Sequence, residues 1–188
     1  LMIDTMRHWI LKTGVAGFRF DLATVMGRLP TGFSNQAPLL NMMKNDPLLS
    51  QALLIAEPWD IGPGGYQLGG FQSPWLEWND KYRDDVRRYW QGQPNALGGL
   101  ATRLAGSSDV FAHDGRAPKA SVNFIAAHDG FCLRDVVSYS HKYNQNNGEQ
   151  NRDGSNDNHS WSNCVEGELP DDADPVAIQR LKDNRMRD

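Results

Sequence analysis

Three short apolar runs along the chain each end close to a carboxylate. The runs and their carboxylates are residues 17–21 with Asp21, residues 53–58 with Glu57, and residues 121–130 with Asp129. Each run has the length of a strand, and its apolar side chains are typical of a strand that is buried in a sheet. The pattern therefore predicts three strands that deliver acidic side chains at their carboxyl ends.

Helical spacing of apolar residues occurs before, between and after these strands. It covers residues 1–13, 22–26, 81–90 and 175–186. In the first segment the apolar face comprises Met2, Met6, Trp9 and Ile10. Gly14 follows this segment directly and predicts a left-handed cap at the end of the helix.

The separations of the three carboxylates along the chain predict a further strand. Glu57 follows Asp21 after 36 residues, and Asp129 follows Glu57 after 72. One strand-helix unit of an eight-unit barrel takes about 31 residues. The longer interval therefore fits two units, and residues 75–80 are the best candidate for the strand between them. Strands that alternate with helices indicate an α/β fold with a parallel sheet.

Two irregular stretches follow predicted strands. Residues 60–73 are rich in glycine and predict a long loop. Residues 141–163 are rich in asparagine and allow two interpretations. They form either a disordered surface tract or a wall of the site, as the loops after barrel strands do.

Composition and charge exclude several classes of partner. The 188 residues carry a formal charge of −4, and their Lys and Arg are scattered, so we expect no nucleic acid partner. No apolar run approaches the roughly 18 residues of a membrane span, and no signal peptide is recognisable, so we expect a soluble protein without a membrane partner. Cys132 and Cys164 lack metal-ligand spacing, and we expect both to be free thiols in the reducing cytoplasm.

Asp21 and Glu57 together have the chemistry that acetal hydrolysis needs, namely one proton donor and one carboxylate that attacks or stabilises the cationic centre. Strand alternation puts Arg19 on the face of Asp21, where its guanidinium would keep Asp21 ionised, and turns the phenylalanines toward the outer helices. Glu57 has no cation in its local sequence, and its apolar setting beside Trp59 favours the protonated form. Taken singly, each carboxylate has the simpler interpretation of a helix cap or turn residue.

The three acidic runs resemble three sequence regions of the α-amylase superfamily of glycoside hydrolases, in the same order. The matching motifs are Gly17-Phe18-Arg19-Phe20-Asp21, Ala56-Glu57-Pro58-Trp59-Asp60 and Ala127-His128-Asp129-Gly130-Phe131. Similarity to glycogen debranching enzymes of the isoamylase type extends to residues 60–67, 77–80 and 147–154. The resemblance covers nearly the whole chain.

The resemblance implies a retaining hydrolase that cleaves α-1,6-glucosidic branch linkages of glycogen or limit dextrin. For these residues we expect no cofactor and no metal ligand. The catalytic roles that the resemblance implies are nucleophile for Asp21, acid/base for Glu57 and transition-state stabiliser for Asp129. The substrate-binding candidates are Arg19 and His128 beside this trio, and Trp59, Tyr66 and Trp78 as platforms on which sugars stack. A tryptophan near a strand end is, however, at least as often part of the core.

The fold that the resemblance implies is a (β/α)8 TIM barrel, of which residues 1–188 form one partial domain. The resemblance further implies that the chain holds strands four to seven of the eight. A partial barrel has two open sheet edges, and we expect self-association through them.

Three alternative functions stay open. A transglycosylase of the same superfamily would pass the covalent intermediate to a sugar hydroxyl instead of water. The missing strands would also be consistent with an inactive carbohydrate-binding fragment. A metal-dependent phosphohydrolase would use the two His-Asp pairs of the chain, although the apolar run before His128 disfavours it.

Overall fold

Six strands occur in the computed structural model of the protein, within the residues it describes, 1–163, 165–168 and 172–187. They are β1 (Gly17–Phe20), β2 (Arg28–Leu29), β3 (Gly32–Phe33), β4 (Leu53–Ala56), β5 (Leu76–Asn79) and β6 (Ser121–Asn123). The main sheet has the order β1, β4, β5, β6, and each neighbouring pair is parallel. Strands β2 and β3 form a separate antiparallel hairpin. The predicted α/β fold with a parallel sheet is confirmed.

The α-helices of the described residues lie before, between and after these strands. They are α1 (Met2–Thr13), α2 (Pro38–Asn45), α3 (Asp80–Trp90), α4 (Ala96–Leu104), α5 (Ser108–Phe111), α6 (Leu133–Val136) and α7 (Pro175–Arg187). The helices predicted over residues 1–13, 81–90 and 175–186 are confirmed. The segment predicted at 22–26 is instead one short 3-10 helix, Ala23–Gly27, because Leu22 before it is left-handed and the β2–β3 hairpin begins directly after it.

Helix α1 ends as its sequence predicts. Gly14 has a φ of 70° and donates its N–H to the carbonyl of Ile10 at 3.0 Å, which closes the last turn. The predicted apolar face is only partly correct, because Ile3 and Met6 are buried, whereas Trp9 is 49% exposed.

Strand β6 is shorter than its apolar sequence predicts. The expected run over residues 121–130 forms a strand only up to Asn123, because Asn79 ends β5 and pairs with Asn123. After Asn123, no strand among the described residues pairs with the continuation of β6. Asp129 therefore does not follow the strand directly, as was expected, but lies in an irregular segment.

The two faces of the sheet carry different side chains, as strand alternation requires. Phe20 is buried and packs in one core with α1 and α2, to which Met6 and Met43 belong, and Phe18 packs against the same core. The expectation that the phenylalanines face the helices is confirmed. The opposite face of β1 carries Arg19.

The chain divides into two compact units, each built from two stretches of sequence. One unit comprises Leu1–Asn79 and Leu104–Asn123 and contains the whole sheet, and the other comprises Asp80–Arg103 and Phe124–Asp188. We refer to them as the sheet unit and the loop unit. The loop unit contains α3, α6, α7 and the asparagine-rich tract at residues 141–163.

Two further sequence expectations concern membranes and cysteines. None of the helices in the described part of the chain has both the length and the apolar character of a membrane span. Cys132 is a free, exposed thiol, as predicted. The expectation for Cys164 lies outside the described residues.

Candidate active site

Asp21 and Glu57 lie side by side because they follow neighbouring parallel strands in the same register. Phe20 pairs with Ala56 at the ends of β1 and β4, so the next residue of each strand is one of the two carboxylates. One carboxylate oxygen of Asp21 lies within 4.8 Å of one of Glu57. The structure therefore brings together the two acidic residues that the sequence predicted as a pair.

Arg19 contacts both carboxylates. Its Nη1 donates to Oδ1 of Asp21 at 2.7 Å, and its Nη2 lies 3.2 Å from Oε1 of Glu57. The predicted pairing of Arg19 with Asp21 is confirmed. The local sequence of Glu57 has no cation, but the sheet places Arg19 of β1 within reach of Glu57 on the neighbouring strand.

Glu57 is buried, whereas Asp21 is exposed. The side chain of Glu57 is 2% exposed and that of Asp21 is 65% exposed. The backbone N–H of Leu22 donates to Oε2 of Glu57 at 2.7 Å, and the carbonyl of Glu57 accepts the N–H of Ala23. The two oxygens of Glu57 thus contact the two residues that flank the Phe20-Asp21 pair, Oε1 with Arg19 and Oε2 with Leu22.

Leu22 is a site residue that the sequence did not reveal. Its φ of 45° is left-handed, a conformation that costs a branched or bulky L-residue energy, and it aims the N–H at Glu57. No glycine or asparagine stands at this position to signal the turn. The only available signal was the abrupt end of the alternating run at Asp21.

The aromatic candidates occupy three different settings. The Trp78 ring lies against the guanidinium of Arg19, with Cζ 4.3 Å from the ring centroid. Trp59 is half-buried, and Tyr66 is 51% exposed in the loop of residues 60–73. Their proposed contact with sugars stays a prediction, and the Trp78 face that meets Arg19 is already in use.

The glycine-rich loop is fixed at its first residue. Asp60 accepts hydrogen bonds from the hydroxyl of Thr24, the guanidinium of Arg28 and the N–H of Gly62. The Thr24 hydrogen bond, together with those from Gly62 and Arg28, holds the pKa of Asp60 below its ordinary value despite burial. The sequence predicted the loop but not this anchor.

His128 and Asp129 lie together in the loop unit. Nε2 of His128 is 3.4 Å from Oδ2 of Asp129, and their side chains are 51% and 77% exposed. Both residues line a cavity of about 590 Å³, together with Arg87 and with residues of the asparagine-rich tract such as Lys142 and Asn158. Of the two interpretations of that tract, the structure supports the one in which it forms a wall.

Arg87 connects the two sides of this cavity and was not expected from the sequence. Its guanidinium donates to the carbonyl of Ile125 at 3.0 and 2.5 Å and to the carbonyl of Asn158 at 2.7 Å. Burial, with repulsion from Arg83, lowers the pKa of Arg87 to about 10. Arg87 therefore ties the segment before His128 to the polar tract.

A second buried pair, Glu77 with Arg116, lies in the sheet unit. Glu77 is fully buried on β5, where it pairs with Arg116 and accepts the N–H of Gly69 at 2.6 Å. Arg116 also donates to the carbonyls of Phe71 and Trp75. Burial raises the pKa of Glu77, although Arg116 opposes that effect. This network joins β5 to the glycine-rich loop.

Comparison with known proteins gives relatives over almost the entire chain. A glycogen debranching enzyme of Serratia proteamaculans is 53% identical over 185 residues, 98% of this chain and 27% of the relative. One of Enterobacter sp. (strain 638) is 55% identical over 162 residues, 86% of this chain and 24% of the relative. A glycogen operon protein GlgX homolog of Mycobacterium tuberculosis (strain H37Rv) is 50% identical over 186 residues, 99% of this chain and 26% of the relative.

These relatives confirm the resemblance that the motifs indicated. The chain spans about a quarter of the length of the curated relatives it matches. No family model matches the chain.

Proposed function

We propose that this chain, which belongs by sequence with the glycogen debranching enzymes, carries the nucleophile and the acid/base of a retaining glycoside hydrolase. The proposed reaction is the hydrolysis of α-1,6-glucosidic branch linkages in glycogen or limit dextrin by the full-length protein. A branched α-glucan is the proposed partner.

The observation that carries this proposal is the short separation of two carboxylates in unlike environments. Retaining glycosidases hold their carboxyl groups about 5–5.5 Å apart, whereas inverting enzymes need about 6.5–9.5 Å to admit a water molecule. One oxygen of Asp21 lies within 4.8 Å of one oxygen of Glu57, which supports the retaining geometry. Exposure of one carboxylate and burial of the other supports separate roles.

Each carboxylate then has one task in each of two steps. Asp21 attacks the anomeric carbon and forms a covalent glycosyl ester, while Glu57 gives a proton to the departing glycosidic oxygen. In the second step Glu57 takes a proton from water as the water attacks the ester and releases Asp21. Arg19 steadies the negative charge of Asp21 before the attack and again on its release.

We assign Asp129 and His128 the remaining polar contacts with the sugar. In this role they hydrogen-bond to sugar hydroxyls, and these bonds strengthen as the transition state forms. Support comes from their motif and from the polar cavity that they line in the loop unit. Trp59 and Tyr66 are proposed as platforms for further sugars.

We further propose that residues 1–188 form one partial domain of a (β/α)8 barrel, with strands four to seven. The parallel order β1, β4, β5, β6 with intervening helices supports this assignment. The open edges of β1 and β6 would pair with strands from the rest of the full-length protein. Self-association through these edges and a cytoplasmic location stay predictions.

The test is to replace each carboxylate in the full-length protein. Asp21→Asn and Glu57→Gln should each lower the release of linear chains from glycogen by about 10³-fold or more, since each removes one chemical role. The readout is the rate at which new reducing ends appear, because hydrolysis creates them and transfer conserves them. Asp114→Asn, which changes an exposed carboxylate at the end of a 3-10 helix of the sheet unit, is the matched control. Near-normal release by either variant contradicts the proposal.

A further inference from the structure

Trp78 and Arg19 meet across two strand spacings of the sheet. Arg19 pairs in register with Ile55 of β4, and Ile55 pairs with Leu76 of β5, so alternation puts Trp78 on the same face as Arg19. The backbones of β1 and β5 are separated by about 9–10 Å at the usual strand spacing. Two long side chains can close that gap, and Trp78 and Arg19 do so with Cζ 4.3 Å from the ring centroid.

The guanidinium of Arg19 has fewer hydrogen bonds than donors. Its Nη1 donates to Asp21, and its Nη2 lies 3.2 Å from Oε1 of Glu57. Its Nε is buried and has no hydrogen-bond partner among the described residues. Hydrogen bonds therefore hold only part of the guanidinium, and the ring of Trp78 on β5 supplies a further contact.

We propose that Trp78 is a positioning residue, which holds Arg19 where its guanidinium contacts both Asp21 and Glu57. The inference rests on the proposed function, and it replaces the expectation that Trp78 is a sugar platform. Tryptophan has the most favourable ring face for a cation, and arginine is the side chain most often found over such a face. Without the ring, Arg19 has freedom to follow Asp21 into solvent, because Asp21 is 65% exposed. Its contact with buried Glu57 is then lost.

Three substitutions in the full-length protein separate positioning from sugar binding. Trp78→Leu and Trp78→Met remove the ring but keep an apolar side chain, and Trp78→Phe keeps a ring face for the cation. We expect Leu and Met to lower kcat for a defined branched oligosaccharide roughly tenfold, with KM changed less than about twofold, and Phe to restore most of kcat. Trp90→Leu, an exposed tryptophan of α3, is the matched control and should leave both constants unchanged.

Each other outcome overturns the inference. A rise in KM with kcat unchanged makes Trp78 a sugar platform. Equal losses in the Leu, Met and Phe variants that follow their melting temperatures make it a structural residue. If one apolar variant fails to fold, the other and the Phe variant still decide the question. Debranching by the unaltered protein, and its loss in Asp21→Asn, show separately whether the proposed function holds.

Discussion

Glu57 and Asp129 are both proposed catalytic residues, yet the chain holds them in different ways. Glu57 follows β4 directly, its side chain is 2% exposed, and both of its oxygens have partners from β1 and the turn after it. Asp129 follows β6 after five irregular residues, its side chain is 77% exposed, and its ion-pair partner is its own neighbour His128.

The difference shows two ways of placing a reactive side chain. In the sheet unit, ladder hydrogen bonds fix the backbone up to the residue before Glu57, so the register itself sets the position. In the loop unit no ladder reaches Asp129 among the described residues, and the backbone before it is held by side chains such as Arg87. The position of Glu57 should therefore be less sensitive than that of Asp129 to the loss of a distant side-chain contact.

The largest expected effect concerns the buried pair of the sheet unit. Arg116→Met leaves Glu77 buried without its cation, and we expect the free energy of unfolding to fall by about 3–5 kcal/mol. Chemical denaturation followed by tryptophan fluorescence measures it. The control is Arg134→Met in the loop unit, whose pair with Glu168 is 70% and 72% exposed and should contribute about 0–1 kcal/mol. Equal losses of unfolding free energy in Arg116→Met and Arg134→Met would contradict the expected difference between a buried and an exposed ion pair.

A smaller effect is expected from Arg87, which connects the segment before Asp129 to the polar tract. Arg87→Met leaves two backbone carbonyls without their donor, and we expect a loss of about 2 kcal/mol. Amide hydrogen exchange should rise at residues 125–129 and 155–160 but not along β1 and β4. Arg152→Met, an exposed arginine with one backbone acceptor, serves as the control. An equal rise of amide exchange along β1 and β4 would contradict the idea that the two proposed catalytic segments are held independently.

The smallest expected effect concerns the anchor of the glycine-rich loop and appears only in acid. Because the folded pKa of Asp60 is lowered from 3.8, its carboxylate stabilises the fold above that value, and the contribution is lost as pH falls through the lowered pKa. In Asp60→Asn, the free energy of unfolding should therefore fall less steeply with decreasing pH than in the unaltered protein. Thr24→Val should make this pH dependence shallower to a smaller extent. Unfolding curves between pH 7 and about pH 3 test both. An unchanged pH dependence in Asp60→Asn would exclude the anchor.

The sequence predicted those parts of the structure that depend on short stretches of chain. Strands β1 and β4 and helices α1, α3 and α7 follow from the apolar pattern, and β5 follows from the spacing of the carboxylates along the chain. The meeting of Asp21 with Glu57 follows from two parallel strands that end at one edge of a sheet. The overlong estimate for β6 has a physical reason. An apolar run forms a strand only as far as a neighbour pairs with it, and β5 ends at Asn79.

Contacts between distant residues were not predictable in the same way. Neither the approach of Arg19 to Glu57 nor its contact with Trp78 has a local signal, because each depends on strand order and register. The left-handed turn at Leu22 lacks the glycine that would announce it. The pairing of Glu77 with Arg116 joins residues 39 positions apart.

That last separation has a consequence for the order in which the protein can fold during synthesis. The strands leave the ribosome in the order in which they pair, so β5 can join β4 as soon as it emerges. Glu77 on β5, however, has no cation until Arg116 emerges 39 residues later. At roughly 5–20 residues per second that delay is about 2–8 s, during which Glu77 can enter the interior only in its protonated form or stays hydrated. In a nascent chain, β1 and β4 can therefore pair fully seconds before Glu77 of β5 obtains its ion-pair partner.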